Sequence, residues 1–326
     1  MAHDSDDFVR WEAAQLLAQR EILANVKRIA GGSEPVLKPE LVEAFRALLN
    51  DTDSDPALVA EALTLPGEDY LGEQMQIVDV DGIHAARKFV KSGLAGTLVE
   101  AFTGRYQSMA GSGPYSKSPD AMARRSLRNV CLSFLLESET GTDLALAQLA
   151  SSDNMTDTLA ALQGLVWAGA PDADAALRAF ESKWQQDALV MDKWFAIQAA
   201  IPGKRAVERV RTLLSHPGFS IANPNKVRSL IGVFSMMNPT GFHSPDGSGY
   251  RLHAEQIIAL DALNPQIAAR MAGAFNPWTR FDVHRRDLMR AELTRIAAIK
   301  SLSPDVAEII NSAIGMEKLS GRHESD

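Results

Sequence analysis

The stretch that decides the fold runs from residue 154 to residue 200 and contains three segments of helical pattern, NMTDTLAALQGLVWAG (154–169), ADAALRAFESKW (173–184) and ALVMDKWFAIQAA (188–200). Pro171 and the step Gln185-Gln186-Asp187 separate these segments. Apolar residues recur every three or four positions in each of them, and none shows the strict alternation of a half-buried strand. The stretch therefore predicts three short, consecutive helices.

The rest of the chain continues this pattern in both directions. Towards the N-terminus, Gly31-Gly32 end a first helix, residues 79–110 form one or two helices, and Thr140-Gly141 break the helix that begins after Ser118. Towards the C-terminus, helices start near 204, 223, 249, 265, 281 and 304. About fifteen helices of ordinary length joined by short loops are expected, and such helices pack as antiparallel pairs.

These features predict one all-α domain over residues 1–326, in which antiparallel helix pairs stack as a superhelix of the armadillo or HEAT kind. Alanine and leucine dominate the apolar residues, and aromatic residues make up only 6% of the chain, which favours helices over strands. A polar tail is expected from about residue 317 to residue 326.

Charge and composition exclude several classes of protein. The net charge of −8 disfavours nucleic acid as a partner, which needs a basic face. The single cysteine, Cys131, lies in the apolar run NVCLSFLL and is expected in the core. No apolar run is long enough to cross a membrane and no signal-peptide pattern begins the chain, so a cytoplasmic protein without a membrane partner is expected.

The usual catalytic motifs are absent from the sequence. It contains no His-Glu-x-x-His, no Walker-type loop, no Gly-x-Ser-x-Gly and no Gly-x-Gly-x-x-Gly after a strand. His243 and His253, ten residues apart, have the spacing closest to a metal pair, but no third ligand is near them. We therefore expect neither a catalytic residue nor a metal or other cofactor in this chain.

Asn-Pro dipeptides are frequent between residues 217 and 280, and each predicts an N-cap followed by the first helical residue. The loop PDGSGY (245–250) is either a simple connector or a segment that faces a ligand. Arg228 and Arg270 fall in the second turn of two helices that begin with proline, where each either bridges to a neighbouring helix or holds a carboxylate. The four dipeptides are Asn223-Pro224, Asn238-Pro239, Asn264-Pro265 and Asn276-Pro277.

Two runs, ANPNKVRSLIGVFSMMNPTGFHSPDGSGY (222–250) and LNPQIAAR (263–270), resemble the C-terminal helical domain of bacterial aminopeptidase N, a zinc metallo-aminopeptidase of the gluzincin type. The resemblance extends over nearly the whole chain in the same order. It includes RWEAAQ (10–15), RRSLRNVCLSFL (124–135), DNMTDTLAAL (153–162) and LVMDKWF (189–195).

The resemblance implies a role for the domain. In the family it caps the catalytic domain of the same polypeptide, closes a cavity over the zinc and controls the access of peptides during peptide catabolism. The zinc ligands belong to the catalytic domain, which this sequence lacks. The chain alone is therefore expected to be inactive, with Met1 as a start added at the cut, although the parent protein would be a zinc-dependent aminopeptidase.

The resemblance also implies the candidate site. Arg228 and Arg270 would face the cavity and bind the carboxyl side of peptide substrates, and Asn225 and Tyr250 would line the cavity beside them. The alternative is an independent helical-repeat scaffold that binds a protein or peptide on its concave face. A detached cap would expose an apolar face, and the first helix, with Trp11 and Leu16 on its apolar side, slightly favours this interpretation.

Overall fold

The computed structural model describes residues 7–111, 113–203 and 205–320. Within these ranges the prediction of an all-α fold is confirmed, because nineteen α-helices account for the regular structure and no extended strand is present. The nearest approach to a strand pairing in the same ranges is an isolated parallel bridge between Val78 and Phe281.

The first ten helices follow one another with short connections. They are α1 (Asp7–Ala30), α2 (Pro39–Asn50), α3 (Pro56–Leu63), α4 (Glu68–Glu73), α5 (Val80–Thr97), α6 (Val99–Ser108), α7 (Pro119–Leu135), α8 (Glu139–Ser151), α9 (Met155–Ala168) and α10 (Ala173–Trp184). Helices α9 and α10, with α11 (Ala188–Ala199) after them, confirm the three helices predicted over 154–200.

The remaining helices include several of only one turn. They are α11 (Ala188–Ala199), α12 (Ala206–Leu214), α13 (Pro224–Val227), α14 (Val233–Met237), α15 (Pro239–Phe242), α16 (Ser248–Asp261), α17 (Pro265–Ala272), α18 (Val283–Ala297) and α19 (Pro304–Ser320). A π turn spans Arg228–Gly232, and 3₁₀ turns span Gly273–Phe275 and Trp278–Arg280. Because α19 continues to Ser320, the first residues of the predicted polar tail are helical, while residues 321–326 lie outside the described ranges.

The chain divides into two compact units. The first contains residues up to 71 and residues 81–177, and the second contains residues 72–80 and the chain from 178 onward. The predicted single domain over residues 1–326 stays a prediction.

Helix α7 is the centre of the first unit, because α3, α6, α8 and α9 all pack against it. Phe134 of α7 stacks on Phe102 with ring centroids 4.6 Å apart and meets the edge of Phe45 at 5.9 Å. Cys131 is fully buried beside them, which confirms it as a core residue. Burial raises the pKa of its thiol to about 12, so Cys131 stays protonated at neutral pH.

A buried polar network joins four helices of the first unit. Asn129 Nδ2 donates to Asp157 Oδ1 at 2.9 Å, and Gln148 Nε2 donates to Asn129 Oδ1 at 2.8 Å and to the Asp157 carbonyl at 3.0 Å. The hydroxyl of Tyr106 donates to Gln148 Oε1 at 3.1 Å. The network therefore fixes how α6, α7, α8 and α9 meet, and it explains the polar start of the segment DNMTDTLAAL.

One sequence-based expectation about the first unit is wrong. Helix α7 ends at Leu135, and Thr140-Gly141 lie inside the first turn of α8 instead of breaking a helix. Gly141 is required by close packing, since a Cβ there would lie 2.0 Å from the Leu135 carbonyl oxygen. Leu16 is 40% exposed, and the buried face of α1 consists of Ala14, Ala18, Ile22 and Val26.

Candidate functional site

Two of the candidate site residues, Asn225 and Arg228, lie on one continuous helix of the second unit, residues 224–237, which we call the central helix. It consists of α13, the π turn Arg228–Gly232 and α14, with right-handed helical dihedral angles at both joints, Val227 and Gly232. Asn223 caps it by accepting a hydrogen bond from the Asn225 amide at 2.9 Å, with Pro224 as the first helical residue. The N-cap predicted here is confirmed, but the π turn was not predicted.

Both ends of the central helix are tied to α11. At its start, Lys226 Nζ lies 2.8 Å from Asp192 Oδ1 and donates to the Ala188 carbonyl at 2.9 Å. Just after its end, Asn238 Nδ2 donates to the carbonyls of Ala199 at 2.8 Å and Ile201 at 2.7 Å. Lys226, near the start of the central helix, contacts the start of α11, and Asn238, just after the end of the central helix, contacts the end of α11. The two helices therefore run parallel to each other.

These ties also decide which face of the central helix is turned inward. Lys226 is 6% exposed and lies over the ring of Phe195, 5.3 Å from its centroid. Leu230, Ile231 and Phe234 are buried on the same helix. Sequence reasoning missed Lys226, since nothing in its neighbourhood distinguishes a buried, paired lysine from an exposed one.

Arg228 lies on the exposed face of the central helix. One of its terminal nitrogens, Nη2, donates to Asn225 Oδ1, so two predicted site residues are in direct contact. In the part of the chain that the structure describes, no carboxylate pairs with the Arg228 guanidinium, and Asn225 is its hydrogen-bond partner. The observed partner is therefore local, and the charge of Arg228 is not neutralised by an acidic side chain.

Arg270 lies in the last turn of α17 and is also exposed. Among the described residues it has no side-chain hydrogen bond and no ion pair. Asn264 caps α17 by accepting from the Ile267 amide at 3.2 Å, which confirms the predicted N-cap. Asn238 is likewise confirmed as the cap of α15, whereas Asn276 lies in a right-handed helical conformation between two 3₁₀ turns and caps no helix.

The central helix and α17 meet at a glycine. A Cβ placed on Gly232 would lie 3.8 Å from both Sδ and Cε of Met271, the residue that follows Arg270. Gly232 stands one turn after Arg228 on the central helix. The two candidate arginines are thus placed on two helices close to the same point of contact.

The loop predicted over 245–250 is shorter than expected. Helix α16 begins at Ser248, so Gly249 and Tyr250 belong to its first turn. Gly247 has a positive φ of 70°, and Asp246 Oδ1 accepts from the Ser248 amide at 3.0 Å and from its hydroxyl at 2.6 Å. The hydrogen bonds from Ser248 lower the pKa of Asp246. A Cβ on Gly249 would lie 2.3 Å from the Phe242 carbonyl oxygen, so the turn is closely packed.

Tyr250 is completely buried in this chain, and its hydroxyl lies 2.8 Å from Nδ1 of His243. Arg285 donates from Nε to the His243 carbonyl at 2.9 Å and from Nη1 to Asp282 at 2.9 Å. Burial, with the nearby charge of Arg285, lowers the pKa of His243 to about 3, so the ring is neutral. Tyr250 is therefore enclosed, and its part in binding stays a prediction.

His253 is equally unsuited to a metal. Its Nε2 donates to the Met271 carbonyl at 2.8 Å, its Nδ1 is buried without a hydrogen-bond partner, and burial lowers its pKa to about 4. Nδ1 of His243 is occupied by Tyr250. Over the described residues, no three His, Cys, Asp or Glu side chains are grouped so that they could hold a metal ion. The donor set of this part of the chain therefore does not fit zinc.

Consecutive helices that pack on one another define the class of protein, a helical-repeat domain. The chain belongs to the family described as "Domain of unknown function (DUF3458_C) ARM repeats", which matches residues 1–315. The predicted fold class and the resemblance to the C-terminal domain of bacterial aminopeptidase N are thereby confirmed. Within the described ranges, no helix combines the length and apolar character needed to cross a membrane.

Several known proteins contain a region similar to this chain. Aminopeptidase N of Escherichia coli (strain K12) is 40% identical over 320 residues, which cover 96% of this chain and 36% of that protein. Aminopeptidase N of Haemophilus influenzae is 38% identical over 309 residues, which cover 95% of this chain and 35% of that protein. The chain thus spans about a third of the length of these relatives.

A solved structure is similar along nearly the whole chain. The crystal structure of Legionella pneumophila aminopeptidase A in complex with aspartic acid superimposes with a TM-score of 0.87 at 31% sequence identity. The match covers 96% of this chain and 37% of that chain. The helical fold of the chain is therefore that of a part of a larger aminopeptidase.

Proposed function

We propose that this chain is the cap of a zinc-dependent aminopeptidase N, in which it covers the catalytic domain of the same polypeptide and closes the cavity over the active site. It admits peptides and holds their carboxyl side while N-terminal residues are removed. The observation that carries this proposal is the pair of exposed arginines, Arg228 and Arg270, which lack an acidic partner among the described residues and lie on helices that meet.

The chemistry of the two arginines suits a peptide carboxylate. A guanidinium presents several N–H donors in a planar fork that matches the two oxygens of a carboxylate. The chain as a whole has a net charge of −8, so two uncompensated guanidinium groups create a local site for an anion on an acidic protein. The ties of Lys226 and Asn238 to α11 hold the central helix rigidly, which keeps Arg228 in position.

The zinc that the family resemblance implies has no set of ligands in the described part of this chain. We therefore place the metal in the catalytic domain and assign this chain no step at the metal. Its contribution is to orient the peptide and to keep bulk water away from the active site. We place the protein in the cytoplasm, in peptide catabolism, since the one cysteine is buried and the described helices include no membrane span.

The test is to make Arg228→Ala and Arg270→Ala in the full-length enzyme and to measure KM for peptides and for single amino-acid amides. Loss of a charge-assisted hydrogen bond at a partly exposed site is expected to raise KM for peptides about 3- to 10-fold. Amides lack the carboxylate, and their KM should stay within about twofold of the original value.

The matched control is Arg46→Ala. The Arg46 side chain is 43% exposed, but it lies in the first unit and its Nε is 3.4 Å from Glu43 Oε1. The Arg46→Ala variant should change neither the KM for peptides nor the KM for amides. Equal effects of Arg228→Ala on peptides and amides would contradict the carboxylate role. Failure of the chain to bind the separately produced catalytic domain in a pull-down would favour the alternative, an independent helical-repeat scaffold.

A further inference from the structure

Two methionines at the end of the central helix are unusually exposed. Met236 is 62% exposed and Met237 is 67% exposed. Large apolar side chains are ordinarily buried, and methionine is a flexible, polarizable side chain that adapts to ligands of different shape. An adjacent pair of such residues therefore forms an apolar surface that a ligand can use.

The π turn places Met236 on the same face as Arg228. A π turn contains about one residue more than an α turn, so one π turn followed by one α turn takes about eight residues, the separation of 228 and 236. The exposure along the helix agrees, since Arg228 and Met236 are exposed while Ile231 and Phe234 between them are buried. In an uninterrupted α-helix, residue 236 would be turned away from Arg228 by roughly a quarter turn.

The residue between Arg228 and Met236 on this face is a glycine, and it is buried. Gly232 stands between them, and Met271 of α17 packs against it. Arg270, the residue before Met271 in the sequence, is exposed and carries the second guanidinium without an acidic partner among the described residues. The distance from Arg228 to Met236 along the helix is about 12 Å, which is about the length of three or four extended residues of a peptide.

We infer that the surface formed by Arg228, Arg270, Met236 and Met237 selects peptides that carry an apolar side chain within the last three residues before their free carboxyl end. This inference rests on the proposed function and adds a substrate preference to it. The charges on this surface favour an anionic ligand. Lys226 on the inner face is neutralised by Asp192, whereas no acidic side chain of the described residues pairs with Arg228 or Arg270. The ligand therefore brings the carboxylate and an apolar group at a fixed spacing.

The experiment is to compare the peptides Ala-Ala-Leu and Ala-Ala-Gly as substrates of the full-length enzyme and of its double variant Met236→Ser/Met237→Ser. We expect kcat/KM for the leucine peptide to fall about 5- to 10-fold, because apolar area is no longer covered on binding. For the glycine peptide the change should stay within about twofold. Met122→Ser is the matched control, since Met122 is 57% exposed on α7 of the first unit.

The outcomes separate this inference from the proposed function. If Arg228→Ala raises KM for peptides while the methionine variant leaves the ratio of leucine to glycine peptide unchanged, the inference is overturned and the proposed function stands. If neither set of variants affects peptides, both are overturned. If the methionine variant instead converts a dimer of the chain to a monomer in sedimentation, the surface binds a second copy, and the inference is again overturned.

Discussion

The polar network of the first unit and the two exposed arginines of the second unit have opposite surroundings. In the first unit, Arg128 donates to the Tyr106 hydroxyl at 3.0 Å and lies over its ring, and Asp157 receives hydrogen bonds from Asn129 and Asn154. In the second unit, Arg228 on the central helix and Arg270 on α17 are exposed and have no acidic partner among the described residues. The polar groups of the network are engaged within the chain, whereas the two guanidinium groups keep donors available for a ligand, and their role in binding stays a prediction.

The largest effect is expected from breaking the network of the first unit with Asp157→Ala. Asp157 is 6% exposed, and its loss leaves the side-chain amide of Asn129 without its acceptor and that of Asn154 with only Asp153. We expect the free energy of unfolding to fall by about 3 kcal/mol, measured by urea denaturation of the chain. Binding of peptides by the full-length enzyme should change little, since the network lies outside the candidate site.

Asp174→Ala is the matched control for this prediction. Asp174 is an exposed aspartate in the first turn of α10, where it contributes only a weak interaction with the helix dipole. Its substitution should cost less than about 1 kcal/mol. If Asp157→Ala and Asp174→Ala lower the free energy of unfolding equally, the network does not hold α6 to α9 together, and the structural role given to its polar groups is wrong.

The sequence predicted local features well because they depend on neighbouring residues. Asn223, Asn238 and Asn264 cap helices as expected, since a capping side chain bonds to amides two or three positions away. Asn276 has the same Asn-Pro signature but caps nothing, because the segment around it is held in 3₁₀ turns whose Phe275 and Trp278 are buried. Packing of those rings outweighs the local preference.

The candidate site was predicted only in part, because its geometry depends on distant contacts. Arg228 and Arg270 are exposed as the resemblance implied, but their roles stay predictions. No local sequence signal predicts the π turn. It lies between the contacts that Lys226 and Asn238 make with α11, and the spacing of apolar residues does not predict such polar contacts. Tyr250, expected beside the arginines, is enclosed because Gly249 lets the first turn of α16 pack closely on Phe242.

The second-largest effect is a decrease in the free energy of unfolding at low pH, caused by a buried histidine of the second unit. His253 is 1% exposed, and burial lowers its pKa to about 4 from 6.5. Between those two pH values, His253 binds a proton in the unfolded chain but not in the folded chain. The contribution of the neutral ring to the free energy of unfolding is therefore present above pH 6.5 and is lost as the pH falls towards 4. We expect a loss of about 2–3 kcal/mol over this range, in addition to the losses from other groups.

Urea denaturation of the original chain and of His253→Gln at several pH values measures this effect. Glutamine can still donate a hydrogen bond to the Met271 carbonyl but does not titrate, so the slope of stability against pH should decrease between pH 6.5 and 4. His284→Gln, at an exposed histidine of α18, is the control. An unchanged slope in His253→Gln would show that this ring is protonated in the folded chain.

The smallest expected effect is the difference in stability cost between Asn238→Ala and Asn264→Ala. It measures how much the contact of Asn238 with α11 adds to an ordinary helix cap. Asn238 caps α15 through the Gly241 amide at 3.0 Å and also donates to two carbonyls of the α11 end, whereas Asn264 makes only a cap. Asn264→Ala should cost about 1 kcal/mol, and Asn238→Ala about 2 kcal/mol because two buried carbonyls lose their donor. Thermal denaturation of the two variants gives the difference. If the costs are equal, the tie to α11 adds no stability, and the rigid placement of Arg228, on which its role in binding depends, loses its main structural support.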